Sequence, residues 1–463
     1  MAKDMREWIA QLDKAGELHV VTRAVDPRTE MGALLYQSRE KGLLFQDLTG
    51  YPGWRALGQA PANPRHAAIA FDTTLEQLVP RVADLIARTI PPRLVDTGPV
   101  KEVITRGADV NLLELPAHQA GVLDSGPFIA SGLIISKDPD TGRRNLAFHR
   151  LQVKGRNRTG ILLLPRHTYA NYRKYEAKGE AMPVAVVIGH HPLYYMAAAV
   201  TGPYGFDELE VAGSFLGEPV PLVKCETVDH EVPADAEIVL EGHIPPHVRE
   251  EEGPFSEFQD YYVAGMGKNP IVELTAMTRR RDAIFKALQN GSEVEGCVFH
   301  KIPMSATIYR RLKNIGGFVD LKNVMVLPGI FSVVVQLTQR LRGEAKQVLL
   351  GALAAEYLHP KVAIAVDEDV NVFNPAEILW AISTRVDPAA DITVIPGLRG
   401  HPMDPTAEEI GVAGQSGWQR LGSKVLIDAT RPPLNDPDRR SQFERIKPPN
   451  LERVRLEDYV RLH

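Results

Sequence analysis

A long succession of short apolar segments between residues 111 and 315 constrains the fold of this chain more than any other feature. Two of them, Phe128–Ser136 and Asn145–Lys154, flank Asp138-Pro139-Asp140-Thr141-Gly142, whose Pro, Asp and Gly residues are typical of a hairpin turn. The further strand candidates are Ile161–Leu164, Val184–Ile188, Val220–Cys225, Glu237–Gly242 and Pro270–Thr278. Many short strands with few helical patterns predict a barrel-like β core, interrupted by one helix at Ala170–Lys178.

The regions on either side of this core alternate helical and strand patterns, and 463 residues exceed what one ordinary core accommodates. We predict an α+β protein with an α/β domain at 1–110, a β-barrel domain at 111–315 and an α/β domain with a partly parallel sheet at 316–463. The predicted elements of the flanking domains are Met5–Ala15, Glu17–Val21, Leu75–Ala87, Val333–Leu337, Glu344–Leu358, Lys361–Val366, Pro375–Ile382, Lys424–Asp428 and a terminal helix near Leu456.

Composition excludes several classes of protein. A net charge of -5 argues against a nucleic-acid binder, which carries a basic excess. The charged N-terminal helix is no signal peptide, no apolar run spans a bilayer, and the two cysteines, Cys225 and Cys297, indicate a cytoplasmic protein without disulfides. Dinucleotide, Walker, zincin and nucleophile-elbow motifs are absent from the sequence.

The run Glu252-Gly253-Pro254-Phe255-Ser256-Glu257 places two carboxylates on backbone that suits neither a helix nor a central strand. If Glu252 and Glu257 face one cavity, different surroundings drive their pKa values apart, and the pair suits proton transfer with one acid and one charged partner. The alternative is a solvated acidic loop, of which the run from Glu250 to Glu252 is typical.

Three further polar residues lie at the predicted strands of the core. Arg150 in the run NLAFHR requires a carboxylate partner or an anion if it lies within the β core, and a structural ion pair is an equal alternative. His167 follows a strand in LLLPRH, and Glu226 ends one in PVPLVKCET. A structural histidine and a strand that exits into water are the plainer interpretations of these two residues.

The order of these motifs, NxxxxR, PxH, KCE and EGPFxE, strongly resembles the UbiD family of reversible decarboxylases. The resemblance extends over most of the chain, including GSFLGEPVPLVKCETVDHEVPADAEIVLEG and VDEDVNVFNPAEILWAISTRVDP. It implies a central split β-barrel that binds prenylated FMN, with a divalent metal, usually Mn²⁺ or else Mg²⁺, and K⁺ at the cofactor phosphate. It also implies a homodimer or homohexamer with contacts through the C-terminal domain, and a UbiX-type flavin prenyltransferase that supplies the cofactor.

The resemblance also implies residue roles. It makes Asn145, His167 and Glu226 the metal ligands, a donor set that suits Mn²⁺ or Mg²⁺ better than structural Zn²⁺. Arg150 pairs with Glu252 and orients cofactor and substrate, and Glu257 is the proton donor that replaces CO₂. The residues expected to line the cofactor are Asn145, Ala147, Phe148, His149, Arg150, Arg166 and His167, with Lys361 as a weaker candidate for the phosphate and the Ala197–Pro203 loop for K⁺.

The implied reaction is reversible, non-oxidative decarboxylation of an unsaturated, aromatic or heteroaromatic acid through a covalent adduct with the cofactor, formed by cycloaddition or by a single bond. His300, Arg310 and Arg311 offer a grip for the second acid of a dicarboxylate such as furandicarboxylate, or else are solvated helix charges. Ring hydroxyls, as in a hydroxybenzoate, could meet Tyr194, Tyr195, Tyr261 or Tyr262, which are as often core residues. The rival classes are a flavin redox enzyme on a similar barrel, a non-catalytic flavin-binding scaffold and a metal-dependent phosphate-binding hydrolase.

Overall fold

The computed structural model describes residues 3–263, 267–291, 294–315, 319–410 and 419–460. Its first unit is the predicted small α/β arrangement. In chain order its elements are α1 (Met5–Lys14), β1 (Leu18–Val21), α2 (Met31–Gln37), β2 (Gly42–Phe45), β3 (Arg55–Gly58), α3 (Pro64–Ala70) and α4 (Leu75–Ile86). The Asp4 carboxylate caps α1 by accepting from the backbone N–H groups of Arg6 and Glu7. Met5, Trp8 and Leu12 form the buried face of this helix, because they recur at helical spacing.

The central unit is built mainly from strands. In chain order its elements are β4 (Arg93–Leu94), β5 (Val103–Arg106), β6 (Phe128–Ile129), β7 (Leu133–Lys137), β8 (Arg144–Phe148), β9 (Leu151–Val153), β10 (Arg158–Ile161), α5 (His167–Ala177), β11 (Met182–Ile188), α6 (Pro192–Ala198), α7 (Glu208–Leu216), β12 (Pro221–Lys224), β13 (Glu231–Pro233), β14 (Ile238–Ile244), β15 (Glu250–Glu252), β16 (Gly267–Asn269), β17 (Ile271–Arg279) and β18 (Ile284–Lys286). Three single 3₁₀ turns lie at Pro99–Lys101, Gly107–Asp109 and Leu112–Glu114.

Nine of these strands form one antiparallel sheet in the order β6-β9-β10-β17-β14-β11-β7-β8, with β5 added alongside β17. The sheet is an open half-barrel, which confirms the predicted β core. Both of its faces are buried. On β11, Ala185 and Val187 pack into one core with the N-terminal helices, while Val184 and Val186 pack into a second core on the opposite face. Side chains alternate across a strand, so a sheet covered on both faces requires the near-continuous apolar sequence of β11.

Two predicted strands are broken in the structure, and the breaks matter for the site. The segment 128–136 divides into β6 and β7, and the segment 145–154 divides into β8 and β9. β8 pairs with β7, whereas β9 pairs with β6 and β10. The chain therefore changes partners at His149 and Arg150, so the prediction of one continuous strand over Asn145–Lys154 is wrong.

The C-terminal unit is a mixed sheet with helices. Its elements are α8 (Glu295–Lys313), β19 (Asp320–Val326), β20 (Ser332–Thr338), α9 (Glu344–Leu353), β21 (Val362–Val366), α10 (Pro375–Arg385), α11 (Pro388–Asp391), β22 (Ile392–Gly400), β23 (Glu408–Glu409), β24 (Arg420–Ala429) and α12 (Pro437–Ser441). β20, β21 and β24 are parallel, as predicted, and β19 and β22 are antiparallel to their neighbours. The helix expected to reach Leu358 ends at Leu353, and the terminal helix is a single 3₁₀ turn at Leu456–Asp458.

The three units interlock rather than follow one another as separate bodies. β5 lies before residue 110 but pairs with β17 of the half-barrel. β18, late in the central unit, extends the N-terminal sheet by pairing with β3. The domain limits at residues 110 and 315 stay predictions. In the described parts of the chain, no helix is long and apolar enough to cross a membrane.

A buried ion pair joins the central and C-terminal units, and backbone of the N-terminal unit also contacts it. Lys286 of β18 donates to Glu295 in the first turn of α8, and both side chains are almost fully buried. The Glu295 carboxylate also accepts from the backbone N–H groups of Gln59, at 3.0 Å, and Ala60, at 2.9 Å.

We expect Lys286→Met to lower the free energy of unfolding by about 3–5 kcal/mol, because it leaves a buried carboxylate without its cation. The double variant Lys286→Met/Glu295→Gln should recover a large part of this loss, because the remaining amide is neutral. Denaturant unfolding of both variants measures the difference. A loss below about 1 kcal/mol for Lys286→Met would contradict a coupled buried pair.

Candidate active site

A cavity of about 330 Å³ is lined by the half-barrel, by α8 and by loops of the C-terminal sheet. This volume suits a drug-sized ligand. Of the predicted site residues, those that line it are Asn145, Ala147, Phe148, His149, Arg150, Arg166, His167 and Glu257. Glu252 lies directly behind Arg150, while Glu226 and Lys361 are not part of this lining. Every residue from Asn145 to Arg150 lines the cavity, because β8 and the corner that follows it form one wall.

Arg150 is bound between the two predicted glutamates. Its Nε donates to Oε1 of Glu252 at 2.9 Å and its Nη2 donates to Oε2 at 2.7 Å, which is a bidentate pair. Its Nη1 makes a short contact with Oε1 of Glu257. All three side chains are at least nine-tenths buried. Burial opposes the charged form of Arg150, but the charges of Glu257 and Glu252 outweigh it and raise the pKa of the guanidinium.

The two glutamates have different surroundings, as the sequence predicts for an acid and a charged partner. Glu252 ends the edge strand β15, and its Oε2 accepts a second bond from Asn269 at 3.2 Å. Burial raises the pKa of Glu257 to about 7, and the charges of Glu252 and Asp124 add to the rise against Arg150. Gly253 has a φ of 90°, in the left-handed region where glycine is favoured, which lets the chain leave β15 and bring Glu257 to the cavity.

A chain of hydrogen bonds orients the Asn145 amide. His149 Nδ1 lies 2.9 Å from the Leu162 carbonyl, which can only accept, so this nitrogen carries the proton. Burial lowers the pKa of His149 to about 4, and the neutral ring then accepts from the Thr168 hydroxyl through Nε2 at 3.0 Å. Thr168 Oγ1 in turn accepts from Asn145 Nδ2 at 3.0 Å. The amide oxygen of Asn145 is thereby left available for a ligand.

The structure does not bring Glu226 to Asn145 and His167, so its predicted grouping with them is wrong. Glu226 follows β12 as expected, but its carboxylate accepts from Lys101 at 2.7 Å and forms a short ion pair with Arg106. Lys101 and Arg106 hold the Glu226 carboxylate instead, a long-range arrangement that the strand pattern does not reveal.

A different carboxylate, Glu208, lines the cavity with Asn145 and His167. It is 3 % exposed, and its Oε2 accepts from the backbone N–H of Leu146 at 2.8 Å. Burial raises the pKa of Glu208 to about 8, and that N–H acts in the opposite direction. The sequence analysis missed this residue. Its signal is a glutamate in the first turn of the mainly apolar helix α7, between the Asp207 cap and the Gly217 stop.

Lys361 and Arg166 differ in their partners. Lys361 donates to both Asp404 oxygens at 2.9 Å and to Thr406, away from the main cavity. Arg166 precedes the first residue of α5 and lines the cavity with an exposed side chain. In the described part of the chain it meets no carboxylate within ion-pair distance, and Arg399 is a neighbouring positive charge. This cation therefore suits an anionic group of a ligand.

Three further histidines line the cavity, and only one of them was expected. His300 of α8 lines the cavity with His359 and His401, whose rings stack at 3.9 Å. Arg310 and Arg311 do not line it, and Arg311 pairs with Glu356 on the surface. None of the four predicted tyrosines lines it either: Tyr194 and Tyr195 are core residues, and Tyr261 and Tyr262 are exposed.

The described residues contain no cluster of three or more histidine, cysteine, aspartate and glutamate side chains that could hold a metal. Asn145, His167 and Glu208 supply instead one amide, one imidazole and one carboxylate. Glu208 has no cationic partner within the described chain, and the Asn145 oxygen is oriented but unbound. A divalent cation fits such a donor set.

The pKa of Glu257 has a consequence for stability. Because the pKa in the folded state, about 7, lies above the ordinary value of 4.5, the folded protein binds more protons than the unfolded chain between these values. We expect the free energy of unfolding to fall as the pH rises through this window, by about 1–3 kcal/mol more in the parent than in Glu257→Gln. Denaturant unfolding at both ends of the window measures this, and identical slopes would contradict a raised pKa.

Comparisons with known proteins agree with this geometry. Family models described as the N-terminal, Rift-related and C-terminal domains of 3-octaprenyl-4-hydroxybenzoate carboxy-lyase match residues 9–86, 93–293 and 297–429. The phenolic acid decarboxylase of Bacillus subtilis is 33% identical over 93% of both chains. The anhydromevalonate phosphate decarboxylase of Methanothermobacter thermautotrophicus is 38% identical over 71% of this chain and 74% of its own length.

Among solved structures, the UbiD-class enzyme HmfF from Pelotomaculum thermopropionicum in complex with FMN superimposes with a TM-score of 0.89, at 36% identity over 99% of this chain and 100% of that one. An evolved dimeric form of the same enzyme in complex with prFMN gives a TM-score of 0.87 at 35% identity. The three domain models in order, the decarboxylase relatives and the near-complete superposition show that the chain belongs to the UbiD family of carboxy-lyases.

Proposed function

We propose that this protein is a reversible, non-oxidative decarboxylase of hydroxylated aromatic acids that works with prenylated FMN. The observation that carries the proposal is the buried fork of Arg150 between Glu252 and Glu257 at the wall of a mainly apolar cavity. A flavin redox enzyme needs no such fork, and a non-catalytic scaffold has no use for a buried acid whose pKa is raised to about 7.

Asn145, His167 and Glu208 would hold the divalent ion, Mn²⁺ or Mg²⁺, that anchors the cofactor phosphate, with Glu208 in the place first predicted for Glu226. Arg166 would add a positive charge for the same anion. K⁺ is proposed at the loop that begins at Ala197, where the Ala199 carbonyl already accepts from the Tyr357 hydroxyl at 3.0 Å. When bound, prenylated FMN supplies an electron sink for the charge that develops as CO₂ leaves.

The residues of the chain then orient the substrate and transfer the proton. Glu252 stays paired with Arg150, which keeps the guanidinium charged and directed at the substrate carboxylate. Glu257 is ionised while CO₂ departs, takes up a proton and delivers it to the carbon that carried the carboxyl group. A pKa near the working pH makes both protonation states accessible, which is what general acid–base catalysis requires.

The histidines that line the cavity favour a substrate with a ring hydroxyl over one with a second carboxylate. Burial lowers the pKa of His300 and lowers that of His401 to about 3, so both rings are neutral. His300 Nδ1 bonds to the Gly296 carbonyl, which leaves Nε2 as an acceptor. His401 Nδ1 accepts from the backbone N–H of Met403, which leaves the proton on Nε2. A hydroxyl satisfies one acceptor and one donor, whereas a carboxylate only accepts.

Two further parts of the proposal concern partners. A flavin prenyltransferase of the UbiX type would supply the modified cofactor. A homodimer or homohexamer would cover apolar side chains that are exposed in the described C-terminal residues, among them Leu379, Ile446 and Tyr459.

Matched glutamate variants test the metal and proton assignments. We expect Glu257→Gln to keep the flavin but lose at least about a hundredfold in turnover, because the proton donor is gone. Glu208→Gln should lose metal and flavin together, while Glu226→Gln, its control outside the cavity, should retain both. Metal analysis, flavin absorbance and CO₂ release measure these outcomes. Retention of metal by Glu208→Gln with loss in Glu226→Gln would restore the original ligand set.

A substrate panel tests the hydroxyl assignment. We expect kcat/KM for a hydroxybenzoate to exceed that for benzoate and for furandicarboxylate by at least about tenfold, because a ring without the hydroxyl leaves the buried histidine nitrogens unpaired. His300→Phe should reduce this preference while leaving flavin content unchanged. Furandicarboxylate as the best substrate would contradict the assignment, and no CO₂ release from any ring acid would contradict the proposed function itself.

A further inference from the structure

A buried aspartate supports the loop that carries the two glutamates, and it comes from a segment with no assigned role. Asp124 is 6 % exposed. Its Oδ1 accepts from the backbone N–H of Ser256 at 2.6 Å, and its Oδ2 accepts from the Gly121 N–H at 2.8 Å and the Ser256 hydroxyl at 3.2 Å. Ser256 immediately precedes Glu257, so the aspartate holds the backbone next to the proposed proton donor.

Further hydrogen bonds join the same two segments. The Ser125 N–H donates to the Pro254 carbonyl at 3.0 Å, and the Leu123 N–H donates to the Tyr262 hydroxyl at 3.1 Å. A Cβ atom at Gly121 would collide with that hydroxyl, so a larger residue there requires the Tyr262 side chain to shift. The loop from Glu252 to Glu257 is thus held by Arg150 on one side and by the segment 121–125 on the other.

Asp124 is a buried charge without a cation. Across the described residues, no lysine, arginine or histidine lies within ion-pair distance of its carboxylate. Burial raises its pKa, and the N–H groups of Gly121 and Ser256 act in the opposite direction. Hydrogen bonds from Gly121 and Ser256 offset part of the cost of burying this carboxylate, but a neutral acceptor would serve those bonds equally well. The negative charge of Asp124 also acts on two groups of the site: it raises the pKa of Arg150 and that of Glu257.

We propose, on the basis of the proposed function, that Asp124 is a positioning residue for the decarboxylation. Through Ser256 it fixes the backbone that directs Glu257 into the cavity. Through its charge it competes with Glu257 for the single guanidinium of Arg150, so that the proton taken up by Glu257 after CO₂ leaves stays on this carboxyl until the substrate carbon receives it. Asp124 does not line the cavity and acts only through its neighbours.

Other titratable groups near Glu257 also influence its pKa, and they limit the shift that a change at Asp124 can produce. Arg150 and Glu252 are the charges in closest contact. Asp260, on the same segment, is bound to Tyr36. The remaining titratable groups that line the same cavity are His149, Arg166, His167, Glu208, Cys297, His300, Tyr357, His359 and His401. A shift produced by Asp124→Asn therefore reports on the local charge.

The test is an infrared titration of the Glu257 carboxyl in the flavin-loaded enzyme, identified as the signal that Glu257→Gln removes. We expect Asp124→Asn to move the midpoint of this titration down by about one pH unit, because a like charge near Glu257 is lost. Ser256→Ala is the matched control, since it removes one hydrogen bond to Asp124 without changing any charge. Its midpoint should equal that of the parent. An unchanged midpoint in Asp124→Asn, or no such signal between about pH 5 and 9, would overturn the proposal.

A second variant keeps the proposal testable if Asp124→Asn does not fold. Asp124→Glu retains the charge but lengthens the side chain, so the midpoint should stay near that of the parent. Deuterium exchange at the Ser256 amide should rise by about tenfold, because its acceptor is displaced. Unchanged exchange would overturn the positioning role. If the parent releases no CO₂ from any ring acid but Asp124→Asn still lowers the midpoint, the proposed function fails while the contact to Glu257 stands.

Discussion

The buried guanidinium of Arg150 is the interaction on which the site depends. Two carboxylates and one cation lie together out of water, and only their mutual contacts offset the cost of removing them from solvent. One cation cannot neutralise two carboxylates, so one of the pair is better protonated. Glu252 holds the bidentate contact and Asn269, whereas Glu257 has a single contact with the arginine. The proton therefore resides on Glu257, beside the cavity.

The fold supports this arrangement from three directions. The half-barrel breaks between β8 and β9, which turns Arg150 out of the regular sheet. The edge strand β15 brings Glu252 up behind it, and the segment around Asp124 closes the far side of the loop. Burial of both faces of the half-barrel makes the sheet rigid, so the break in it is a fixed corner rather than a frayed end.

The proposed metal site shows where reasoning from the sequence stops. Asn145 and His167 were predicted from motif order, and the structure places both on the cavity wall. The third ligand was assigned to Glu226, a carboxylate of the right type at the end of a strand. Whether a carboxylate faces a cavity or a pair of cations depends on which distant residues the fold brings to it. Lys101 and Arg106 form ion pairs with Glu226, whereas Glu208 is buried and has no cationic partner among the described residues.

The sequence by itself determined the class of fold, the succession of short strands, the Arg150, Glu252 and Glu257 set and the family, because these follow from local patterns and from motif order. Three features depend on the tertiary structure alone: Glu208 rather than Glu226 lines the cavity, His359 and His401 stack in its lining, and Asp124 supports the loop. These contacts join residues more than forty positions apart in the sequence. No local pattern records them, because a side chain's partners depend on how the sheets close around it.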